Sequence, residues 1–286
     1  MSALAPLDVY IKKQLDDHLI QLAKMLNTDM MAIVSPIMPG LELRVRSALE
    51  QKKTRGNGLS IILDTGGGVV EVVERMVECI RTHYPENVKF IVPNRAMSAG
   101  TVFAMSGDEI LMDYFSCLGP IDPQIENETG KLIPALSYLN QFERLNKKAE
   151  NGELTSAEYA LLNKLDLAEL HHFEQARELS KELLVKWLTK YKFKNWTKTE
   201  GTGKIVTPSD REARAKQIAG QLSDNEKWHS HGRGINLKTL KEKIGLQIKD
   251  YGQEDYGKTI KEYFDLLVDY MSRQKLFAFV HTTEYF

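Results

Sequence analysis

The sequence is short of several things at once, and each shortage removes a class of protein. It has two cysteines in 286 residues, Cys79 and Cys117, both in apolar surroundings. That is no disulfide framework; the pair reads as reduced, buried thiols. It has no surplus of either charge: 38 Lys and Arg stand against 39 Asp and Glu. Such a balance gives no global attraction to nucleic acid or to an anionic membrane. It has no run of the roughly 18 apolar residues that a spanning helix needs. Its N-terminus lacks the basic segment, apolar run and small-residue cleavage site of a secretory leader. Asp16, Asp17 and Lys24 interrupt the apolar positions there. No internal repeat or low-complexity tract is visible. These absences predict a cytoplasmic protein that binds no nucleic acid. An amphipathic helix lying on a membrane finds no support in a strongly basic face.

What is present is an ordinary globular composition, 42% hydrophobic and 27% charged, on a chain long enough to bury a sizeable core. Ile11, Leu15, Leu19, Leu22, Ala23 and Leu26 recur at helical spacing and predict an N-terminal amphipathic helix within residues 1–28. Residues 31–35 read as a strand, followed by a Pro36 and Pro39-Gly40 turn and a helix over 41–51. Apolar runs at 59–63, 88–92 and 110–113 read as strands, separated by a helix after Gly68 and a short one ending near Ala104. Strands alternating with helices predict a mainly parallel sheet flanked by helices. From 131 to 192 the pattern is almost wholly helical, with a polar break near Asn151-Gly152 and a long helix over 167–191. Ser209 and Glu212 fit a capping box for a helix over 211–222. Asn236 is placed to cap 237–244, a further helix covers 258–271, and 276–280 reads as a closing strand. The whole is one domain, 1–286, with a helical elaboration at 131–200.

Two features carry chemistry. Thr65-Gly66-Gly67-Gly68 lies between a strand and a helix. Consecutive glycines permit a sharp turn that presents backbone N–H groups, and the helix N-terminus after it favours negative charge. Ser98 lies at the next strand-to-helix passage, flanked by the small Ala99 and Gly100. An N–H from Gly67 or Gly68 with that of Ala99 makes a two-donor oxyanion hole for acyl transfer at Ser98 Oγ. The bland readings are a structural turn or a phosphate site. The turn is not G-x-G-x-x-G, has no P-loop Lys-Ser/Thr ending, and Ser98 is not in G-x-S-x-G.

The runs Ile61–Gly68, Arg95–Thr101 and Gly119-Pro120-Ile121-Asp122 resemble the serine peptidases of the ClpP/crotonase fold. In particular they resemble the signal-peptide-peptidase-like branch known as the serine dehydrogenase proteinase family. The resemblance spans about residues 55–125 and returns faintly at 232–248. It implies an α/β ClpP/crotonase-like fold with a mainly parallel sheet and a helical insertion. It implies Ser98 as nucleophile, Gly67 or Gly68 and Ala99 as oxyanion donors, and Gly119, Pro120, Ile121 and Asp122 as the substrate cleft. It further implies no cofactor, a peptide or protein substrate, and a homo-oligomer.

A histidine or a neutral lysine activates the serine in such enzymes, and burial can lower a lysine's pKa enough for the task. Lys164, just before the long helix, is the first choice of base; Lys147, Lys148, His171 and His172 are the alternatives. A solvated surface residue is the bland reading of each. Adjacent helical positions point about 100° apart, so one of the two histidines at most can face a site. His229-Ser230-His231 lacks a third ligand at recognisable spacing, and no metal is expected. Lysines 186, 190, 192, 194 and 198, interleaved with Trp187, Tyr191, Phe193 and Trp196, read as a helix that wets its cations and buries its rings. Two rival functions stay open: a catalytically silent peptide-binding or assembly protein, and a crotonase-like acyl-thioester enzyme.

Overall fold

The computed structural model describes residues 5–121, 124–126, 132–199, 201–224, 228, 230 and 232–286. Asp122, His229 and His231, singled out above, lie outside the described residues. Five strands run parallel: β1 (Asp29–Val34), β2 (Leu59–Asp64), β3 (Val88–Val92), β5 (Glu109–Met112) and β10 (Lys249–Asp250). The terminal β11 (Phe279–His281) pairs antiparallel with β1 and closes one edge, giving the order β10-β5-β3-β2-β1-β11. Both faces are covered, so the strands read as continuous apolar runs with little polar alternation. Within β1, Met31 and Ile33 enter one core while Met30, Ala32 and Val34 enter the other.

The first core packs the sheet against α2 (Leu41–Gln51), α3 (Val70–His83), α4 (Ala99–Ala104), the distal half of α7 (Leu167–Trp187) and α8 (Pro208–Leu222). The second packs it against α1 (Pro6–Leu26) and α10 (Gly257–Arg273). A small second sheet joins β4 (Arg95–Ala96), β6 (Cys117–Leu118) and β9 (Ile235–Asn236). The helix after β9, α9 (Leu237–Thr239), starts at Asn236, whose side chain accepts from the Thr239 N–H, and continues in π geometry through Leu240–Ile244. Both cysteines are free and half-buried. No helix among the described residues is long and apolar enough to cross a membrane.

Two local expectations are corrected. Residues 131–192 are not helical from the start, because β7 (Gln124–Glu126) and β8 (Leu132–Pro134) pair as an antiparallel hairpin before α5 (Ala135–Glu150). Helix α8 is capped by Thr207 and Asp210, which exchange side-chain and backbone hydrogen bonds, instead of by Ser209 and Glu212. Pro208 decides this: its fixed φ suits the first helical position, so the cap falls on the residue before it. The polar break near Gly152 leads into α6 (Ser156–Leu162), whose Thr155–Glu158 capping box starts a new helix.

The α1–α10–β11 corner holds a buried polar chain. His281 is fully buried; one ring nitrogen is 2.8 Å from Tyr263 Oη and the other 3.0 Å from Asp16 Oδ1. Lys12 donates to Asp16 from within α1, and the rings of Phe279 and Phe286 enclose the imidazole. Burial pushes the His281 pKa down from 6.5 against the pull of Asp16. Burial raises Asp16, but His281 and Lys12 together hold it below 3.8. The unfolded chain therefore takes up a proton at His281 below about pH 6.5 where the folded chain resists it, so stability falls with pH in that window. Asp16 acts in the same direction below its own ordinary value. The urea midpoint is expected to drop between pH 7.5 and 5.5 in the wild type, and to drop less in His281→Phe. Equal drops would remove His281 from the account.

Candidate active site

Three neighbouring parallel strands deliver their following loops to the same edge of the sheet, where open α/β sheets form their sites. After β1 comes Ser35–Ile37, after β2 comes Thr65–Gly68, and after β3 comes Asn94–Ser98. The order β3-β2-β1 makes these loops adjacent in space. Backbone hydrogen bonds lock them together. Met97 N–H donates to Thr65 O at 3.1 Å and Thr65 N–H to Arg95 O at 3.0 Å. Ile37 N–H donates to Gly67 O at 2.9 Å, and Val69 N–H to Ile37 O at 2.8 Å.

Ser98 stands at the N-terminus of α4 with φ 51° and ψ −117°, a left-handed setting that L-residues avoid. Such strain survives only where surrounding structure over-determines it, and it concentrates at functional sites. A nucleophile carried on a tight strand-to-helix turn has this character, although the G-x-S-x-G motif is missing. The residue is 1% exposed. Its carbonyl accepts from Thr101 N–H at 2.9 Å, so the turn passes directly into helix.

The glycine turn lies against it. A Cβ on Gly67 would come within 2.9 Å of Ser98 Cβ and 2.7 Å of Met97 O. The Gly67 amide is occupied, donating to Thr65 Oγ1 at 3.1 Å. Among the described residues, no backbone carbonyl accepts from the Gly68 or the Ala99 amide. Two donors therefore stand open beside the serine, one following it in sequence and one from the facing turn.

Asp64 organises the approach. Its Oδ1 accepts from Asn94 Nδ2 at 3.0 Å and from Arg95 N–H at 3.2 Å, which fixes the start of the serine segment. Burial raises its pKa, opposed by Arg95 and Asn94. Thr101 Oγ1 lies 2.8 Å from both the Ala96 and Gly119 carbonyls and accepts from Gly119 N–H at 3.0 Å. That brings Gly119 against Met97, where a Cβ would meet the Met97 backbone at 2.9 Å. Pro120 and Ile121 follow, both buried, and Ile121 N–H donates to Leu222 O. The anchoring roles of Ile37, Asp64 and Thr101 are not evident from sequence. No local motif announces a carbonyl that meets its partner about thirty residues along the chain.

The candidate bases are placed differently. Lys147, Lys164, His171 and His172 are exposed, and Lys148 is half-exposed. Lys148 is paired with Glu158 at 2.6 Å, and His171 stands 4.0 Å from Glu174. Lys164 precedes α7, whose Leu183, Leu184 and Trp187 join the main core. The start of that helix lies roughly 24 Å along its axis from Leu183. Around the start a separate cluster forms from Leu139, Leu170 and Phe173.

A parallel sheet with helices on both faces, a strained serine heading a short helix and a glycine turn facing it define the ClpP-like class of α/β fold. Residues 44–208 match the family model described as ClpP-like SDH-type serine proteinase; with more than half of the chain matched, the protein belongs to that family. A relative in Methanocaldococcus jannaschii, the uncharacterized protein MJ0137, is 33% identical over 134 residues, which are 44% of this chain and 45% of that protein. A second from the same organism, the uncharacterized protein MJ1495, is 28% identical over 136 residues, 44% of each chain. The match thus spans less than half the length of these curated relatives. Among solved structures, a variant of the 1510-N membrane-bound stomatin-specific protease covers 80% of this chain and 81% of its own, at 13% identity and TM-score 0.40. ClpP1 from Listeria monocytogenes covers 54% of this chain and 91% of its own, at 18% identity and TM-score 0.30.

Proposed function

We propose that this protein is a serine peptidase in which Ser98 is the nucleophile and the Gly68 and Ala99 amides bind the oxyanion. The observation that carries the reading is the strained Ser98 at the head of α4, beside a glycine turn with an open amide. Ser98 Oγ attacks the peptide carbonyl carbon and its proton passes to a general base. The carbonyl oxygen takes up the negative charge between the two amides, and the base returns the proton to the leaving amine. Water then attacks the acyl-serine ester, releasing the acid and restoring the hydroxyl. Preorganised amides at the developing charge contribute about 3–4 kcal/mol per donor in well-studied hydrolases. Gly119–Ile121, held against Met97, forms one wall of the peptide cleft.

Lys164 is our first candidate for the base. A lysine base needs burial to sit neutral, and Lys164 is exposed in the single chain. The reading therefore requires a second subunit or the bound peptide to cover it, which accords with a working homo-oligomer. The exposure of Lys147, Lys164, His171 and His172, and the pairing of half-exposed Lys148 with Glu158, equally support a second reading, a peptide-binding or assembly protein with a silent site.

Intact-mass measurement after fluorophosphonate treatment separates the two. The probe is small, which matters for a serine so covered. One adduct is expected on the wild type, absent in Ser98→Ala and slowed at least ~10²-fold in the variant that lacks the base. The series comprises Lys164→Ala, Lys147→Ala, Lys148→Ala, His171→Ala and His172→Ala. It is completed by Lys131→Ala, the first lysine after Ser98 in the chain, which lies outside the described residues. An unlabelled, folded wild type would favour the silent protein.

A further inference from the structure

A deep cleft lies away from Ser98. Its volume is about 930 Å³, and its floor is Glu109 and Ile110 at the N-terminal end of β5. Ser98 follows the C-terminal end of the neighbouring β3, so the two places are separated by roughly the length of a strand, ~16 Å. One wall is the segment from Lys192 to Thr199, and the other runs from Gly245 into β10.

That first wall is held firmly. Lys192 ends a π-helical turn, Leu188–Lys192, that continues α7. Turns of this kind are uncommon and cluster at functional positions. The Arg81 guanidinium stacks on Tyr191 at 3.6 Å and pairs with Asp108 at 2.9 Å, while Lys194 reaches Asp108 at 2.8 Å. Asp108 thereby has two cations of its own, and offsets the charge of the cleft only in part. Lysine-rich as this stretch is, it does not simply hold its cations in water, as its sequence suggests.

Charge in the cleft is unbalanced. Lys192, Lys198 and Lys241 line it, and none of their side chains has an ion pair or hydrogen bond among the described residues. Against them stand the carboxylates of Glu109 and Asp108, the second already paired with Arg81 and Lys194. Burial pushes Lys192 down to about 8, with Glu109 and Asp108 pulling the other way. A half-buried ammonium gains from an anion that joins it. The apolar surface of the cleft includes two rings, Trp196 and Phe193, packed 5.7 Å apart between centroids. A volume within the range of small-molecule sites favours a compact ligand over a protein segment. Lys192 is half-buried and Lys198 and Lys241 are exposed; three cations without a protein partner around one cleft favour a ligand with several negative charges, and the indole favours a flat ring.

We propose that this cleft binds a phosphorylated ring compound of the nucleotide class, its phosphates on Lys192, Lys198 and Lys241 and its ring against Trp196. The site is separate from Ser98, and the proposal holds or fails independently of the peptidase reading.

Calorimetric titration of the full chain with ADP, inorganic pyrophosphate and adenosine tests it. ADP is expected to bind, adenosine far more weakly. The triple variant Lys192→Gln, Lys198→Gln, Lys241→Gln is expected to weaken ADP at least ~10-fold, since three charge-assisted contacts go. Trp196→Ala is expected to erase the advantage of ADP over pyrophosphate. Circular dichroism and urea midpoints of the variants show that the fold is kept. No ADP binding at millimolar concentration, or equal binding by the triple variant, overturns the proposal. So does pyrophosphate binding as tightly as ADP to the wild type, which would reduce the cleft to a simple anion patch.

Discussion

Replacing Ser98 by glycine is expected to abolish hydrolysis and fluorophosphonate labelling while making the protein more stable. The two effects have one cause. Ser98 is held at φ 51° and ψ −117°, a setting that carries about 1–3 kcal/mol of strain for a residue with a Cβ. Glycine enters that region freely. Part of the relief is cancelled because glycine widens the unfolded ensemble, by about 0.4–1 kcal/mol, and a buried Cβ is lost. A net gain of about 1 kcal/mol remains, readable as a higher urea midpoint. Activity falls at least ~10³-fold, to whatever the oxyanion amides and peptide binding supply without a nucleophile. Ser98→Ala is the control. It removes the same hydroxyl but keeps the Cβ, so it should lose activity without gaining stability. Equal midpoints for the glycine and alanine variants would mean that Ser98 is not strained, and would remove the main support for its role.

That a candidate nucleophile should be costly to fold accords with a familiar trade between stability and function, and it bears on how much of this site the sequence discloses. The glycine run and the serine are legible because each is a local event: three glycines between an apolar strand and an apolar helix, and a small-residue turn after the next strand. Their pairing is legible too, since consecutive parallel strands place successive loops on one edge. The strain at Ser98 is not, because it depends on Thr65 holding the segment before the serine and on the first turn of α4 after it. The choice between the two glycine amides is equally hidden. It depends on the Thr65 hydroxyl occupying that of Gly67, a contact that composition does not predict. The β7–β8 hairpin escapes because each strand is three residues long, too short for periodicity to register. The base fares worst. A lysine's fitness depends on burial, which is a tertiary property, and every candidate on the helical elaboration reads alike in sequence. The same limit explains Lys192: one more cation in a basic stretch by sequence, it lines a cleft because a π turn carries it there.

The glycine turn allows a sharper test, because two neighbouring positions differ so strongly. At Gly68, φ is +144° and an added Cβ would lie 2.1 Å from Ile37 O and 2.8 Å from Ile37 C. Both atoms are backbone, and Ile37 is itself bonded on either side of the turn, through Gly67 O and Val69 N–H. No side chain can swing away to make room. Gly68→Ala must therefore push the turn off Ile37, with a loss of about 2–4 kcal/mol of stability. The Gly68 amide moves with it, away from the oxygen it would stabilise. Loss of one oxyanion donor lowers turnover by about 10²–10³-fold, and that is the expected fall in the labelling rate per folded molecule. At Gly66 an added Cβ meets nothing within 4 Å, so Gly66→Ala should stay within about 0.5 kcal/mol of the wild type and label at its rate. Normalising each rate to the folded fraction from circular dichroism keeps the comparison meaningful even where Gly68→Ala is partly unfolded. A folded Gly68→Ala that labels as fast as the wild type would place the oxyanion donors elsewhere. A Gly66→Ala as slow as Gly68→Ala would show that the turn serves the site by its flexibility, with no defined amide at its centre.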